Sequence, residues 1–230
     1  MSLIIAVKSC LKDLDAGLHN VIRSTWGQRV KAAGIETRFF VGEPESNKTT
    51  SRFEPDETLL KCDDSYKGLP YKTREICRWF MGKKIDHILL CDIDTYLMAK
   101  YITSSGYQKW DYFGYFSWPP REIHNDYLAA QKEVDQQIIQ NCYAWASGGL
   151  GYFLSRKAAT EVATTTPTTW AEDLWVGQIL GPLVANGNLT VQSTKSNDYL
   201  GCQYSLHFGN SAKENNYQMI AEWLQKQYRG

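Results

Sequence analysis

Apolar residues fall at two spacings along the chain, and their order predicts alternating strands and helices. Leu3 to Ser9 is a short apolar run without polar alternation, the pattern of a strand buried on both faces of a parallel sheet. Leu18, Val21, Ile22, Trp26 and Val30 follow at helical spacing and stop near Gly34, after which Glu36 to Val41 reads as a second strand. Gly42 to Glu57 is polar, holds Pro44 and Pro55, and has no periodicity, so a surface loop is expected before a third strand at Leu59 to Cys62. Leu69 to Lys84 puts Ile76, Cys77, Phe80 and Met81 on one helical face. Ile88 to Cys91 is the most hydrophobic short run, and it ends in Asp92-Ile93-Asp94.

Beyond that point the pattern loosens. Asp111 to Phe116 is a predicted strand, and Ser117 to Gln140 is a long insertion with Pro119-Pro120, of the kind that usually carries function. Gly148 to Ser155 joins a glycine cluster to a strand, Arg156 to Ala163 reads as a helix, and Trp170 to about Val184 as another. Tyr217, Ile220, Ala221, Leu224 and Tyr228 draw one apolar stripe on a closing helix. With no repeat and no linker, the pattern predicts a single α/β domain over residues 1–230, its central sheet mixed but mostly parallel and flanked by helices.

Composition narrows the function classes. Of 230 residues, 43% are hydrophobic, enough for a sizeable core, which excludes general disorder. Lysine plus arginine and aspartate plus glutamate each number 25, so the net charge is zero and nothing draws the chain to nucleic acid or an anionic membrane. The opening apolar run is broken by Lys8, too early for a signal or membrane segment, so a soluble protein is expected. Six dispersed cysteines lack metal-ligand spacing and read as reduced, buried thiols, with disulfides left open by the even count.

The candidate chemistry is acidic. Asp92 and Asp94 stand at the end of a buried strand, where a spacing of two would turn both carboxylates to one side; they could share a hard divalent ion or cap a turn. Thr169 and Glu172 have capping-box spacing, which assigns Glu172 to a helix start. Asp173 is left over, either a solvated first-turn acid or a general base kept ionised and weak by the helix N-terminus. His207, flanked by Leu206 and Phe208, could be a core histidine or a further metal ligand. Gly148 and Gly149 sit where a side chain would obstruct backbone approach to a ligand, or simply form a tight turn.

The order of five segments resembles the β-1,3-glycosyltransferases, the family of galactosyl- and N-acetylglucosaminyltransferases with Fringe as a more distant member. Arg23-Ser24-Thr25-Trp26-Gly27 is similar to its R-x-T-W-G, and Asp63 to Thr73 to its D-S-Y-x-N-L-x-x-K-T stretch. Asp92-Ile93-Asp94 resembles its D-x-D, Gly149 to Tyr152 its G-x-G-Y, and Glu172 to Gly177 its E-D-V-x-x-G. Ile93 replaces the middle acid common in the family, and Trp145-Ala146 stands where Pro-Tyr is usual.

The resemblance implies a GT-A (Rossmann-like) fold, with a nucleotide-binding part over about residues 1–110 and an acceptor side over about 111–230. It implies a UDP-sugar donor, Mn²⁺ or Mg²⁺, a glycan acceptor, and inverting transfer. It assigns Asp92, Asp94 and His207 to the metal and Asp173 to the base. Val7, Lys8 and Ser9 would lie against the nucleotide with Arg23, Asp64 and Lys72 nearby, and Gly148 and Gly149 would border the donor. An anchorless member of this kind suits the cytoplasm of a bacterium or a virus-infected cell, or the Golgi lumen if the chain is part of a longer protein. The rival readings are a glycoside hydrolase, which needs two facing carboxylates, and a carbohydrate-binding module without catalysis.

Overall fold

A computed structural model describes residues 2–43, 53–116, 145–196 and 201–207. The predicted insertion at Ser117 to Gln140, the closing helix at Tyr217 to Tyr228 and most of the loop after Gly42 lie outside the described residues. A central sheet has the strand order β3-β2-β1-β4-β7-β6-β8. Its strands are β1 (Leu3–Lys8), β2 (Glu36–Glu43), β3 (Glu57–Asp63), β4 (His87–Asp92), β6 (Tyr112–Gly114), β7 (Tyr152–Ser155) and β8 (Val191–Ser193). A small second sheet orders β5 (Thr95–Leu97), β10 (Ser205–His207) and β9 (Gly201–Cys202) as β5-β10-β9.

β1 pairs in parallel with β2 and β4, β2 with β3, and β6 with β8, whereas β7 runs antiparallel to β4 and β6. The mixed, mostly parallel sheet is therefore as the sequence predicts. All six residues of β1 are buried, as expected of a strand covered on both faces. The odd positions Leu3, Ile5 and Val7 pack with Ile22, Trp26 and Phe39, and the even positions Ile4 and Ala6 pack with Ile76, Phe80 and Trp175.

The helices are α1 (Leu11–Asp15), α2 (Leu18–Ser24), α3 (Trp26–Ala32), α4 (Leu69–Met81), α5 (Ala99–Ser104), α6 (Arg156–Thr164) and α7 (Glu172–Ala185). The single helix predicted over Leu18 to Val30 is broken at Thr25, whose backbone leaves the helical region and whose hydroxyl donates to the Val21 carbonyl at 2.6 Å. A threonine that bonds the preceding turn competes with the helical ladder, and this apolar stripe cannot register that. Cys77, Cys91 and Cys202 are buried, while Cys10 and Cys62 are only partly covered. Among the described residues no helix is long and apolar enough to cross a membrane.

Candidate active site

The carboxyl ends of β1 and β4 open into a cavity of about 580 Å³, the position where open α/β sheets collect ligands. Ser9 continues β1, Asp92 closes β4, and Asp64 and Lys72 approach from the β3 side; all four line the cavity with Lys8, Asp94, Tyr66 and His207. Lys72, 2% exposed, donates to the Ser9 carbonyl and to Asp64 Oδ1 at 2.8 Å. Asp64 also accepts from the Gly42 amide at 2.6 Å and the Leu11 amide at 2.7 Å, so it ties β2 and α1 to the wall.

Asp92 and Asp94 share this cavity for a reason other than strand periodicity. Asp92 is the last residue of β4, and Ile93-Asp94 form the turn into β5. Thr95 fixes that turn, its hydroxyl meeting the Asp92 amide at 3.2 Å and donating to the Gly149 carbonyl at 2.8 Å. Antiparallel pairing of β10 with β5 sets His207 opposite Thr95. His207 Nδ1 is consequently 3.6 Å from Asp94 Oδ1, buried, and without a hydrogen-bond partner.

Such an orphaned nitrogen beside a carboxylate fits a shared cation. Asp94 and His207 could contribute ligands to a divalent ion, and Asp92 lines the same cavity with its Oδ1 paired to Lys8. Among the described residues no group of three or more histidine, cysteine and acidic side chains is already gathered as a cage. A site completed by ligand oxygens and water is what Mg²⁺ or Mn²⁺ ordinarily uses.

Asp173 lies in the first turn of α7, where its Oδ1 accepts from the Leu174 amide at 2.8 Å and its Oδ2 from the Gly148 amide at 3.2 Å. Those amides stabilise its charge, yet burial and the adjacent Glu172 charge outweigh them and push its pKa up to about 6. The weakness expected of a base at a helix N-terminus is thereby offset. The helix terminus contributes less than the loss of water.

Glu172 is not the expected cap. The N-cap of α7 is Ala171, without a side-chain cap, and Thr169 instead accepts from the Ala171 amide at 3.3 Å. Glu172 is 4% exposed. Its Oε1 accepts from Thr73 Oγ1 at 2.8 Å and from the Tyr152 hydroxyl, and its Oε2 from Lys8 Nζ at 2.9 Å. Lys8 also reaches Asp92 Oδ1 at 3.1 Å. Burial works against the Lys8 charge, but Asp92 and Glu172 together hold its proton more tightly than on an ordinary lysine.

Two glycines join these parts. A Cβ on Gly148 would sit 3.1 Å from Glu172 Oε2 and 3.4 Å from Asp173 Cβ, and one on Gly149 would sit 2.8 Å from the His207 ring. The backbone at this pair lies close to the side chains of Glu172, Asp173 and His207. Two other expected nucleotide contacts lie elsewhere. Val7 is fully buried in the core, and Arg23 lines a separate groove beside Phe39 while pairing with Asp56 and Glu57. Lys8 and Glu172 as partners were missed, although a single lysine inside an apolar buried strand is itself the signal of a buried counter-charge.

A protein-family model described as galactosyltransferase matches residues 19–186. No curated protein matches the sequence. One similar solved structure is described as the crystal structure of a glycosyltransferase involved in the glycosylation of the major capsid of PBCV-1. It is 11% identical, covers 97% of this chain and 100% of its own, and superposes with a TM-score of 0.53, a likeness of fold.

Proposed function

The chain belongs to the galactosyltransferase family, and on that premise we propose that this glycosyltransferase is inverting and metal-dependent, moving a sugar from a UDP-sugar to a hydroxyl of a glycan acceptor. The observation that carries the reading is the turn at residues 148–150: its Gly148 amide donates to Asp173, and its Gly149 backbone lies against His207, which pairs with Asp94.

In this reading the nucleotide occupies the cavity at the β1 and β4 ends, with its diphosphate towards Asp92 and Asp94. Those two carboxylates and His207 would hold Mn²⁺ or Mg²⁺, which when bound supplies positive charge against the departing diphosphate. Asp173 Oδ takes the proton of the acceptor hydroxyl. The hydroxyl oxygen forms the new bond at the anomeric carbon, and the old bond to the diphosphate oxygen breaks on the opposite face with its electron pair, inverting the centre. The Gly148 and Leu174 amides hold the base in orientation, and its raised pKa makes it a stronger base than a solvated aspartate while leaving it ionised at neutral pH.

A single displacement needs one carboxylate as base. Of the adjacent pair, Glu172 is engaged by Lys8, Thr73 and Tyr152, which leaves Asp173 for that role. The same engagement removes Glu172 as the second available acid that a glycoside hydrolase would require beside Asp173. Thermal unfolding with a panel of sugar nucleotides, with and without Mn²⁺, tests the donor assignment. A rise in melting temperature confined to UDP-sugars plus metal is expected. A rise that is the same with every nucleotide sugar, or absent with all of them, overturns it.

A further inference from the structure

Behind the cavity wall lies a buried polar chain that sugar transfer does not use. Ser9 Oγ is 2.7 Å from His19 Nε2, His19 Nδ1 is 2.8 Å from Glu57 Oε1, and Arg23 Nη2 donates to that same oxygen at 2.6 Å. The His19 and Glu57 side chains are 1% and 0% exposed, and the imidazole is stacked on Phe39. Ser9 is the member that lines the cavity.

The hydrogens along this chain have one consistent arrangement. Burial opposes ionisation of Glu57, but His19, the Glu54 amide at 2.9 Å and Arg23 outweigh it, so the carboxylate is charged and can only accept. His19 Nδ1 must then carry a hydrogen. Burial lowers the imidazole pKa despite Glu57, which leaves Nε2 as a bare lone pair. The Ser9 hydroxyl hydrogen goes to Nε2 at 2.7 Å in preference to the Cys10 carbonyl at 3.5 Å. Ser9 Oγ therefore has only lone pairs left to offer.

We infer that Arg23, Glu57 and His19 are positioning residues that make Ser9 an obligate acceptor, and that Ser9 selects a uracil-type base through its imide N–H. This rests on the nucleotide reading above. In the order β3-β2-β1-β4, a diphosphate at Asp92 and Asp94 beyond β4 leaves the nucleoside across the end of β1, where Ser9 stands, towards Asp64 on the β3 side. Uracil N3 carries a hydrogen that Ser9 can accept. Cytosine N3 is a lone pair, so its pairing with Ser9 would face acceptor to acceptor.

Calorimetric titration of the full chain with UDP, CDP, N3-methyl-UDP and 2′-deoxy-UDP, all with Mg²⁺, tests this. Wild type should bind UDP roughly 10- to 100-fold more tightly than CDP or N3-methyl-UDP, the range expected when one buried polar group loses its partner. Ser9→Ala should bring the UDP:CDP ratio close to one, and Glu57→Gln should lower it with Ser9 still present. A merely structural role would weaken all nucleotides together and leave the ratio unchanged. An unchanged ratio in both variants overturns the inference, as does a loss confined to 2′-deoxy-UDP, which would assign Ser9 to the ribose. Failure of wild type to bind any of the four would instead remove the nucleotide reading itself.

Discussion

The backbone of Gly149 packs so closely on His207 that a methyl group at position 149 would lie 2.8 Å from the imidazole. That contact leaves no room for a side chain between the turn and the His207 ring. Gly149→Ala should displace the ring and separate His207 Nδ1 from Asp94. The expected outcome is a roughly tenfold or greater rise in the Mn²⁺ concentration needed for half-maximal activity, since supporting contacts of this kind are worth 10- to 100-fold in metal affinity. Measuring activity against free Mn²⁺ checks it. An unchanged metal requirement would show that His207 does not hold the ion.

Lys8 joins two carboxylates that lie on different elements, Asp92 on β4 and Glu172 on α7. With the Lys8 and Glu172 side chains 1% and 3% exposed, Lys8→Met would strand a buried charge. Breaking such a pair costs about 3–5 kcal/mol. Denaturant unfolding should show that loss, and Glu172→Gln in the Lys8→Met background should recover part of it. Additive losses in the double variant would contradict the pairing.

The pH dependence of transfer follows from Asp173. Its pKa is raised from 3.8 to about 6 in the folded chain, so kcat/KM should rise through about pH 6 as the base ionises. The stability it contributes runs the other way: it is fully present below 3.8 and lost as pH rises through about 6. Asp173→Asn should therefore gain stability relative to wild type above pH 6. Glu172→Gln removes the neighbouring charge and should move the acidic limb of the rate profile downwards. A limb that stays in place would mean that Glu172 does not act on Asp173.

The sequence exposed the scaffold better than the site. β1 was legible because every one of its positions is buried, and α4 because Ile76, Cys77 and Phe80 share one buried face. The break at Thr25 was invisible because it depends on one side-chain hydrogen bond inside an otherwise regular apolar stripe. Asp92, Asp94 and Asp173 stood out as acids at element ends. Their environments did not, because the Asp92–Asp94 geometry is set by a turn and the proton affinity of Asp173 by burial and Glu172. Glu172 was misread because local spacing matched a cap while its partners lie 20 to 164 residues away. Long-range pairing of buried charge leaves no periodic trace in a chain.

The most direct test of the account is the rate of sugar transfer by Asp173→Asn beside its affinity for UDP, measured at pH 7.5 with saturating Mn²⁺. Loss of a positioned base predicts a fall of about 10²- to 10⁴-fold in turnover with UDP affinity nearly unchanged. Transfer at the wild-type rate would contradict the assignment of Asp173 as the base.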